Sequence, residues 1–364
     1  MRIAFVYSEG RLSRDQEDTP SEFFYGYREL KRLGLDAQIV ETGPEVTNLW
    51  TRAYNLLLNS VTPARTNGSS LYQAYAMLDH LQTFDCVVAT YAQSALGLGF
   101  WKNLGRLRPA LVGIQCGLVN YPLPTLRRRA TAWFLHRQTT ALFASTELPE
   151  MARRFDLPPQ RLHSCDFGVD LSYWQMSSQP RQDRILAVGN DGRRDYETLL
   201  AAAISTGAPT RLVTKKILPE PLPANVELLR GDWHQQALTD AGLRAEYQSA
   251  LCVVVPLSET LQPSGQSVAM QAMACGTPVI MSRTGGYWGE GWLEDGRDII
   301  LVPPGDPAAL AAAIQRLRQD PSLASEIGSR ARAALVRQGG IESFAANLLQ
   351  LCRQAVDAQS RSVV

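Results

Sequence analysis

The stretch that decides the fold is residues 251–286, which read LCVVVPLSETLQPSGQSVAMQAMACGTPVIMSRTGG. Its first five residues, 251–255, form an unbroken apolar run rich in β-branched side chains, the pattern of a parallel strand buried on both faces. A polar loop follows at 258–263. Ser264 then occupies the position expected of an N-cap, directly before a helix of small residues predicted for 266–275. The stretch therefore begins as a strand, a loop and a helix.

The second half of the stretch returns the chain to the sheet. Gly276 is expected to end the helix, and Val279, Ile280 and Met281 form a second buried strand, which makes a β-α-β unit of a parallel sheet. Ser264, Ser267 and Gln271 fall at helical spacing on one face. The helix N-terminus beside them lies beyond the carboxyl end of the strand, where open parallel sheets bind anions and nucleotides. The alternative is that these polar side chains satisfy buried backbone groups.

The run QAMACGTPVI, residues 271–280, resembles the donor-site signature of the retaining family-4 glycosyltransferases of the GT-B fold, which reads EAMACGxPVI. That family carries two glutamates with seven residues between them, and here Pro263 and Gln271 occupy both positions. In the family the later glutamate binds the nucleotide ribose and the earlier one lies near the sugar. Glu259, on the loop before Pro263, is the candidate to replace a missing carboxylate.

Two further segments resemble the same family. FGVDLSYW, at 167–174, is similar to the connector that leads from its first domain to its second, and a polar linker at 175–183 follows. RILAVGN, at 184–190, is the strand expected to open the second domain. PGDPAAL, at 304–310, is similar to the start of a helix near that domain's end. The resemblance thus covers the second half most fully.

The resemblance implies a basic residue that holds the donor diphosphate, and by position this is Arg194, with Arg193 as the alternative. A guanidinium gives two hydrogen bonds to a phosphate and stabilises the charge of a leaving diphosphate. Arg194 and Gln266 are the predicted catalytic residues. The predicted donor-binding residues are Gly189, Asn190, Arg193, Lys215, Trp233, Glu259, Ser264, Gly265, Ser267 and Gln271.

The first half of the chain alternates apolar strands with helices. Strands are expected at 3–7, 36–41, 86–90, 110–114 and 141–144, with an amphipathic helix at 21–33. No G-x-G-x-x-G follows the first strand, so a dinucleotide site has no support there. The resemblance makes this half the acceptor domain, and the predicted acceptor-binding residues are Ser21, Glu22 and Gln115.

One predicted helix of this half, Leu126 to Arg137, mixes basic residues with Trp133, Phe134 and Leu135. Two interpretations remain open. The helix is an ordinary surface helix whose aromatic side packs on the sheet, or it is a patch that contacts a membrane surface or a lipid-linked acceptor.

Composition sets broad limits. The chain has 364 residues and a net charge of +1, so the strongly basic surface of a nucleic-acid-binding protein is not indicated. No apolar run reaches the roughly 18 to 20 residues that span a bilayer. The six cysteines are scattered, mostly in apolar runs, and lack C-x-x-C spacing, which is typical of reduced core residues in a cytoplasmic protein.

These observations predict an α/β protein of the GT-B fold, with two Rossmann-like, doubly wound domains facing a central cleft. The predicted domains are 1–174 for the acceptor and 184–340 for the nucleotide-sugar donor, with a C-terminal helix at 341–364 that crosses back to the first domain.

The expected activity is transfer of a sugar from a nucleotide-sugar donor to a glycan, lipid-linked or small-molecule acceptor, with retention at the anomeric carbon. The nucleotide sugar is a co-substrate, and no metal or other cofactor is expected. The expected location is cytoplasmic, with peripheral contact at the inner membrane surface as a variant. Two alternatives remain: a catalytically weak partner or regulatory subunit of another transferase, and a nucleotide-sugar epimerase or hydrolase.

Overall fold

A computed structural model describes residues 1–16, 18–63, 65–120, 123–231 and 238–361. The chain divides into two compact units. The first contains Met1–Thr19, Phe23–Asp166 and Glu342–Val364, and the second contains Pro20–Glu22 and Phe167–Ile341. Each unit has its own six-stranded parallel sheet with helices packed on it.

The sheet of the first unit has the strand order β2-β1-β3-β4-β5-β6, and all its pairs are parallel. Its central strands are fully buried because both faces are covered by helices. The strands are β1 (Arg2–Tyr7), β2 (Asp36–Glu41), β3 (Cys86–Ala89), β4 (Ala110–Gln115), β5 (Thr139–Leu142) and β6 (Leu162–Ser164).

The helices of the first unit lie between these strands in the chain. They are α1 (Tyr27–Arg32), α2 (Leu49–Leu57), α3 (Gly68–Ala76), α4 (Leu78–Leu81), α5 (Ala92–Asn103), α6 (Thr125–Leu135) and α7 (Leu148–Phe155). Short 3-10 helices stand at Leu12–Arg14, Ser21–Phe24, Leu118–Asn120, Ser145–Glu147 and Pro159–Arg161.

The sheet of the second unit has the order β12-β11-β10-β7-β8-β9, again parallel throughout. Numbered within the unit, this is the 3-2-1-4-5-6 order of the dinucleotide-binding Rossmann fold. The strands are β7 (Ile185–Val188), β8 (Thr210–Val213), β9 (Val226–Leu229), β10 (Cys252–Val255), β11 (Val279–Ser282) and β12 (Ile300–Val302).

The helices of the second unit are α8 (Tyr196–Thr206), α9 (Asp240–Ser249), α10 (Gln266–Ala274), α11 (Pro307–Gln319) and α12 (Pro321–Gln338). A last helix, α13 (Gly340–Arg361), begins in the second unit, and its residues from Glu342 onward belong to the first. Asp195, Asp306 and Asp320 cap α8, α11 and α12, each by accepting a hydrogen bond from a backbone N–H of the first turn.

The deciding stretch folds as the predicted β-α-β unit. β10 and β11 pair in parallel, with Val253 opposite Val279, and the α10 residues between them are mostly buried. The predicted N-cap is wrong by one residue. Gly265 caps α10 in a left-handed conformation with φ +73°, and Ser264 makes no capping hydrogen bond.

Other element predictions also need correction. The helix predicted for 21–33 is interrupted, because Tyr25 and Gly26 have positive φ and only Tyr27–Arg32 is α-helical. A Cβ at Gly26 would lie 3.0 Å from the Ala345 Cβ of α13, so the interruption allows α13 to approach closely. Strand β5 lies two residues earlier than predicted, because its β-branched start at Thr139 pairs with Val112 of β4.

The units differ from the predicted domain boundaries in two places. The predicted first domain runs to residue 174, whereas the second unit already begins at Phe167. Pro20–Glu22, predicted within the first domain, belong to the second unit. The backbone N–H of Ser21 donates to Asp170 Oδ2 at 3.1 Å, and that of Asp170 donates to Glu22 Oε2 at 3.0 Å. Hydrogen bonds with Asp170 thus hold the segment Pro20–Glu22 in the second unit.

Candidate functional site

The topological switch point of the second sheet lies between β7 and β10, where the strand order reverses. Ligands of open α/β sheets bind in the crevice at the carboxyl ends of such neighbouring strands. Two loops begin there: the loop after β7, which holds Gly189 and Arg194, and the loop after β10, which holds Ser264 and Gly265. Arg194 and Leu257 form an isolated antiparallel bridge that joins these loops. The structure therefore brings together the main residues predicted to bind the donor.

The Arg194 side chain is buried at this point, with only 3% of its surface exposed. Its Nε lies 3.0 Å from Asp191 Oδ2. Its Nη1 has no hydrogen-bond partner among the described residues. A buried guanidinium N–H without an acceptor is costly, so this atom favours an anion as its partner. The carbonyl oxygen of Arg194 accepts a hydrogen bond from Lys216 Nζ at 2.8 Å, which brings a second cation close by.

Two glycines make room for the Arg194 guanidinium. Gly189 has φ +147° and Gly265 has φ +73°. A Cβ at Gly189 would overlap the guanidinium, and a Cβ at Gly265 would lie 2.7 Å from Arg194 Nη1. Positive φ also favours glycine at both positions, since L-residues rarely adopt it. The guanidinium consequently lies directly against the backbone at the start of α10.

The N-terminus of α10 adds hydrogen-bond donors to this place. The first N–H groups of a helix have no partner inside it, and its dipole favours negative charge there. Ser264 is buried, and its Oγ has no hydrogen-bond partner among the described residues. Gln266 is buried and Ser267 is half-buried in the first turn. A hydroxyl, a helix N-terminus and a guanidinium together form an arrangement suited to a phosphate group.

Other predicted donor residues have partners in the loops around the site. Asn190 Oδ1 accepts from Thr214 Oγ1 at 3.0 Å and from the Lys215 N–H at 2.6 Å, so it links the ends of β7 and β8. Arg193 is half-buried, and its carbonyl accepts from the Ser258 N–H at 2.9 Å. Lys215 is exposed. Trp233 lies outside the described residues. These assignments remain predictions.

Glu259 is exposed, and Pro263 is buried beside Ser264. Glu259 Oε1 accepts hydrogen bonds from the Gly285 N–H at 2.8 Å and the Thr260 N–H at 3.1 Å. It therefore holds the loop after β11 against the loop after β10. Its predicted role as a replacement carboxylate is untested.

Gln271 lies inside a buried polar network. Its Nε2 donates to Glu22 Oε1 at 3.0 Å, and its Oε1 accepts from the Tyr247 hydroxyl at 3.2 Å. Trp174 Nε1 donates to the same Glu22 oxygen at 2.6 Å. Burial raises the pKa of Glu22 to about 7, although its hydrogen bonds from Gln271, Trp174 and Asp170 favour the charged form. Sequence reasoning did not anticipate this network, because Glu22 and Gln271 are 249 residues apart.

The predicted acceptor residues belong to different units. Ser21 and Glu22 are part of the second unit, whereas Gln115 ends β4 of the first. Gln115 is fully buried, and both of its amide atoms lack hydrogen-bond partners among the described residues. Ser21 and Glu22 are instead fastened to Asp170 and Gln271, which gives them a place beside the predicted donor residues.

Glu147 is a buried carboxyl that the sequence analysis missed. It follows β5 of the first unit, and its Oε1 accepts from the Gly117 N–H at 3.0 Å while Oε2 has no partner among the described residues. Burial raises its pKa to about 7. Its position, five residues after a strand at the carboxyl edge of a parallel sheet, was the available signal.

The basic and aromatic helix α6 presents one apolar stripe outward. Leu126 is 64% exposed and Trp133 is 41% exposed, whereas Phe134 and Leu135 are buried. A cavity of about 220 Å³ lies beside it, lined by Leu123, Arg128, Arg153 and Arg154. Because one side of α6 packs inward and the other faces out, this arrangement fits both predicted interpretations of the helix.

The described residues contain neither a candidate metal site nor a membrane-spanning helix. No group of three or more His, Cys, Asp or Glu side chains in the described part of the chain is arranged to hold a metal ion. No helix among those residues combines the length and the hydropathy needed to cross a bilayer.

Residues 218–320 match the family model of Glycosyl transferases group 1. The comparisons support this family. The chain is 25% identical over 231 residues to MMP alpha-(1->4)-mannosyltransferase of Mycolicibacterium hassiacum, an alignment that covers 58% of the chain. It covers 53% of that relative, so the chain spans about half of the length of the curated protein it matches.

Solved structures share the fold over nearly the whole chain. Sucrose-phosphate synthase from Thermosynechococcus elongatus superposes with a TM-score of 0.73 at 20% identity, covering 98% of this chain and all of that one. HepE of Anabaena, solved in complex with UDP and glucose, gives a TM-score of 0.70 at 13% identity, covering 96% and 98%. The predicted fold class, two Rossmann-like α/β domains as in GT-B glycosyltransferases, is confirmed.

Proposed function

We propose that the chain is a glycosyltransferase that moves a sugar from a nucleotide-sugar donor to an acceptor, with the donor held by its second unit. The observation that carries this proposal is the Arg194 guanidinium, which is buried at the switch point beside Gly265 and whose Nη1 has no hydrogen-bond partner among the described residues. Diphosphate is the chemical group that fits a buried cation, a free serine hydroxyl and a helix N-terminus.

The proposed reaction follows from where charge develops. When the bond between the sugar and the diphosphate breaks, negative charge grows on the leaving nucleoside diphosphate. Arg194, the first turn of α10 and Ser264 Oγ stabilise that charge without having to reorganise. In the retaining route the leaving phosphate helps to deprotonate the acceptor on the same face, so the protein supplies positioning and charge stabilisation. We propose retention on the basis of the family-4 resemblance of residues 271–280.

The donor base is proposed from the structural comparison. HepE was solved with UDP and glucose, which makes a uridine diphosphate sugar the first donor to test. The acceptor is proposed to bind to the first unit, as a glycan, a lipid-linked sugar or a small molecule. We base an acceptor contact on Gln115 of that unit. It is buried at the end of β4, and its amide has no hydrogen-bond partner in the described part of the chain.

A thermal-shift panel with UDP, GDP, ADP and dTDP tests the donor site. A ligand present at about 100 times its dissociation constant stabilises the folded state by about 2.7 kcal/mol, which is readily measured. We expect one base to give a clear rise in melting temperature. No shift with any of the four would remove the proposed donor site.

A second candidate function is a catalytically weak partner of another transferase, favoured by the absence of glutamates at positions 263 and 271. Product analysis with the nucleotide sugar of the bound base separates the candidates. Transferred sugar supports the transferase, and binding without turnover supports the partner. Free sugar or an isomerised nucleotide sugar would instead support a hydrolase or an epimerase.

A further inference from the structure

The carboxylate that position 271 lacks has a counterpart elsewhere in the chain. Gln271 stands where the resembling family has a glutamate, and the structure places the Glu22 carboxylate in direct contact with it. Both residues belong to the second unit. A carboxylate is therefore present beside position 271, although the sequence around Gln271 does not contain it.

Glu22 is held in one orientation by three donors. Its Oε1 accepts from Trp174 Nε1 at 2.6 Å and from Gln271 Nε2 at 3.0 Å, and its Oε2 accepts from the Asp170 N–H at 3.0 Å. The residue is 1% exposed. Buried carboxylates with several hydrogen bonds of this kind are fixed in place, because a rotation would leave donors without acceptors.

The contacts of Glu22 determine which way the Gln271 amide points. An ionised carboxylate only accepts hydrogen bonds, so it must face the amide nitrogen. The amide oxygen then faces the other way, where the Tyr247 hydroxyl donates to it at 3.2 Å. A carbonyl oxygen has two lone pairs, and one remains for another hydroxyl donor. Without Glu22, nothing in this group would prevent the amide from flipping.

We propose that Glu22 is a positioning residue for the donor ribose: it fixes the Gln271 amide so that its carbonyl oxygen accepts a hydrogen bond from a ribose hydroxyl. Glu22 and Gln271 together replace the single glutamate of the family. This inference rests on the proposed function, since it assigns the ribose part of the same donor site.

The attachment of Glu22 to the second unit supports this role. The Ser21 N–H donates to Asp170 Oδ2 at 3.1 Å, and Asp170 Oδ1 accepts from the N–H groups of Ser172 and Tyr173, each at 3.0 Å. Asp170 thus ties the segment before Glu22 to the connector that carries Trp174. Burial raises the pKa of Glu22 to about 7, so the ionised form, which only accepts hydrogen bonds, dominates above that pH.

The test compares UDP with 2′-deoxy-UDP and 3′-deoxy-UDP by calorimetric titration. A ribose hydroxyl bonded to Gln271 should make the wild type prefer UDP to one of the deoxy nucleotides by about fivefold to tenfold, the value of one hydrogen bond. In Glu22→Gln the neighbour of Gln271 is an amide that can both donate and accept, so it does not fix the orientation of the Gln271 amide. The preference should then fall to about twofold or less. Affinity for inorganic pyrophosphate should stay unchanged, because the phosphate contacts are separate.

A charge-swapped pair makes the test specific. Gln271→Glu alone sets two carboxyl groups side by side and should lose the preference, because like charges there are unfavourable. The double variant E22Q/Q271E restores one carboxylate and one amide, and it should recover the preference to within about threefold of wild type. Glu29→Gln, which changes a buried glutamate of the first unit, is the matched control and should leave the preference unaltered.

The outcomes separate this inference from the proposed function. If the wild type binds none of the nucleotides, the proposed donor site fails. If it binds UDP with a ribose preference that Glu22→Gln and Gln271→Glu both retain, the donor site stands and the role of Glu22 is overturned. A lower melting temperature with an unchanged preference would likewise overturn it, leaving Glu22 a purely structural residue.

Discussion

At the scale of single residues, the site depends on which side chains are absent as much as on which are present. Arg194 can lie at the start of α10 because Gly189 and Gly265 carry no Cβ. The Ser264 hydroxyl has no hydrogen-bond partner among the described residues, because Gly265 takes the capping position. The polar residues of this stretch were predicted from sequence, but the steric role of the glycines was visible only in three dimensions.

Gly265→Ala tests this steric role. The Cβ would overlap Val255 and approach Arg194 Nη1, so we expect the free energy of unfolding to fall by about 1–3 kcal/mol and UDP affinity to drop. Gly207→Ala is the matched control, since Gly207 has φ +60° but no neighbour within 4 Å. Chemical denaturation of both variants measures the difference. Equal losses would show that backbone conformation alone explains the Gly265 effect.

At the scale of elements, the β10-α10-β11 unit could be predicted closely and the first unit less so. The predicted bounds of β2 agree with the structure because its apolar run ends in a polar, glycine-containing turn. The helix predicted at 21–33 was wrong, since the chain is interrupted at Gly26, which packs against Ala345 of α13, more than 300 residues away in the chain. The short edge strand β6 carried too few residues to show a pattern.

The close packing of α12 on α10 leads to a prediction at this scale. A Cβ at Gly328 of α12 would overlap the Gly276 carbonyl at the end of α10. We expect Gly328→Ala to lower the free energy of unfolding by about 1–3 kcal/mol, because neither backbone can move freely. Gly43→Ala, at an open position without positive φ, should be nearly neutral. An equally stable Gly328→Ala variant would contradict this packing argument.

The exposed stripe of α6 leads to a second prediction for an element. Leu126 and Trp133 lie two turns apart on the same face of a helix that carries three consecutive arginines. We expect co-sedimentation with vesicles that contain anionic lipid, reduced severalfold in a Leu126→Gln/Trp133→Gln variant. Leu104→Gln, at an exposed leucine of the same unit, is the control. Sedimentation that does not depend on anionic lipid would leave α6 an ordinary surface helix.

At the scale of the whole molecule, the sequence predicted two Rossmann-like halves because alternating buried strands and helices permit few arrangements. It did not predict that Pro20–Glu22 would join the second unit, or that Glu22 would contact Gln271. Such contacts join segments that are far apart in the chain and share no sequence pattern, so sequence alone does not predict them. The missing glutamates could be read from the sequence, whereas the neighbouring carboxylate could not.

Glu22 of the second unit and Glu147 of the first are buried glutamates with a raised pKa. Their pKa is about 7 when folded and near 4.5 in the ordinary state, so the folded chain binds more protons between these pH values. The free energy of unfolding should therefore fall as pH rises from about 4.5 to 7, by at most about 3 kcal/mol per group, and stay lower above pH 7.

Glu22→Gln and Glu147→Gln, which are neutral at every pH, should each flatten this fall. Denaturant titrations at pH 5, 6, 7 and 8 measure it. Glu326→Gln changes an exposed glutamate and should reproduce the wild-type profile. A wild-type profile that rises through this window would contradict the assignment of raised pKa values.

The most direct test of the central claim, that Arg194 holds the donor diphosphate, is calorimetric titration of UDP into the wild type, Arg194→Ala and the control Arg297→Ala. Arg297 is an exposed arginine of the same unit, paired with Glu294. The account predicts that Arg194→Ala folds and loses about tenfold to a hundredfold in UDP affinity, the value of a charged hydrogen bond, while Arg297→Ala binds as the wild type does. A folded Arg194→Ala variant with wild-type affinity for UDP would contradict it.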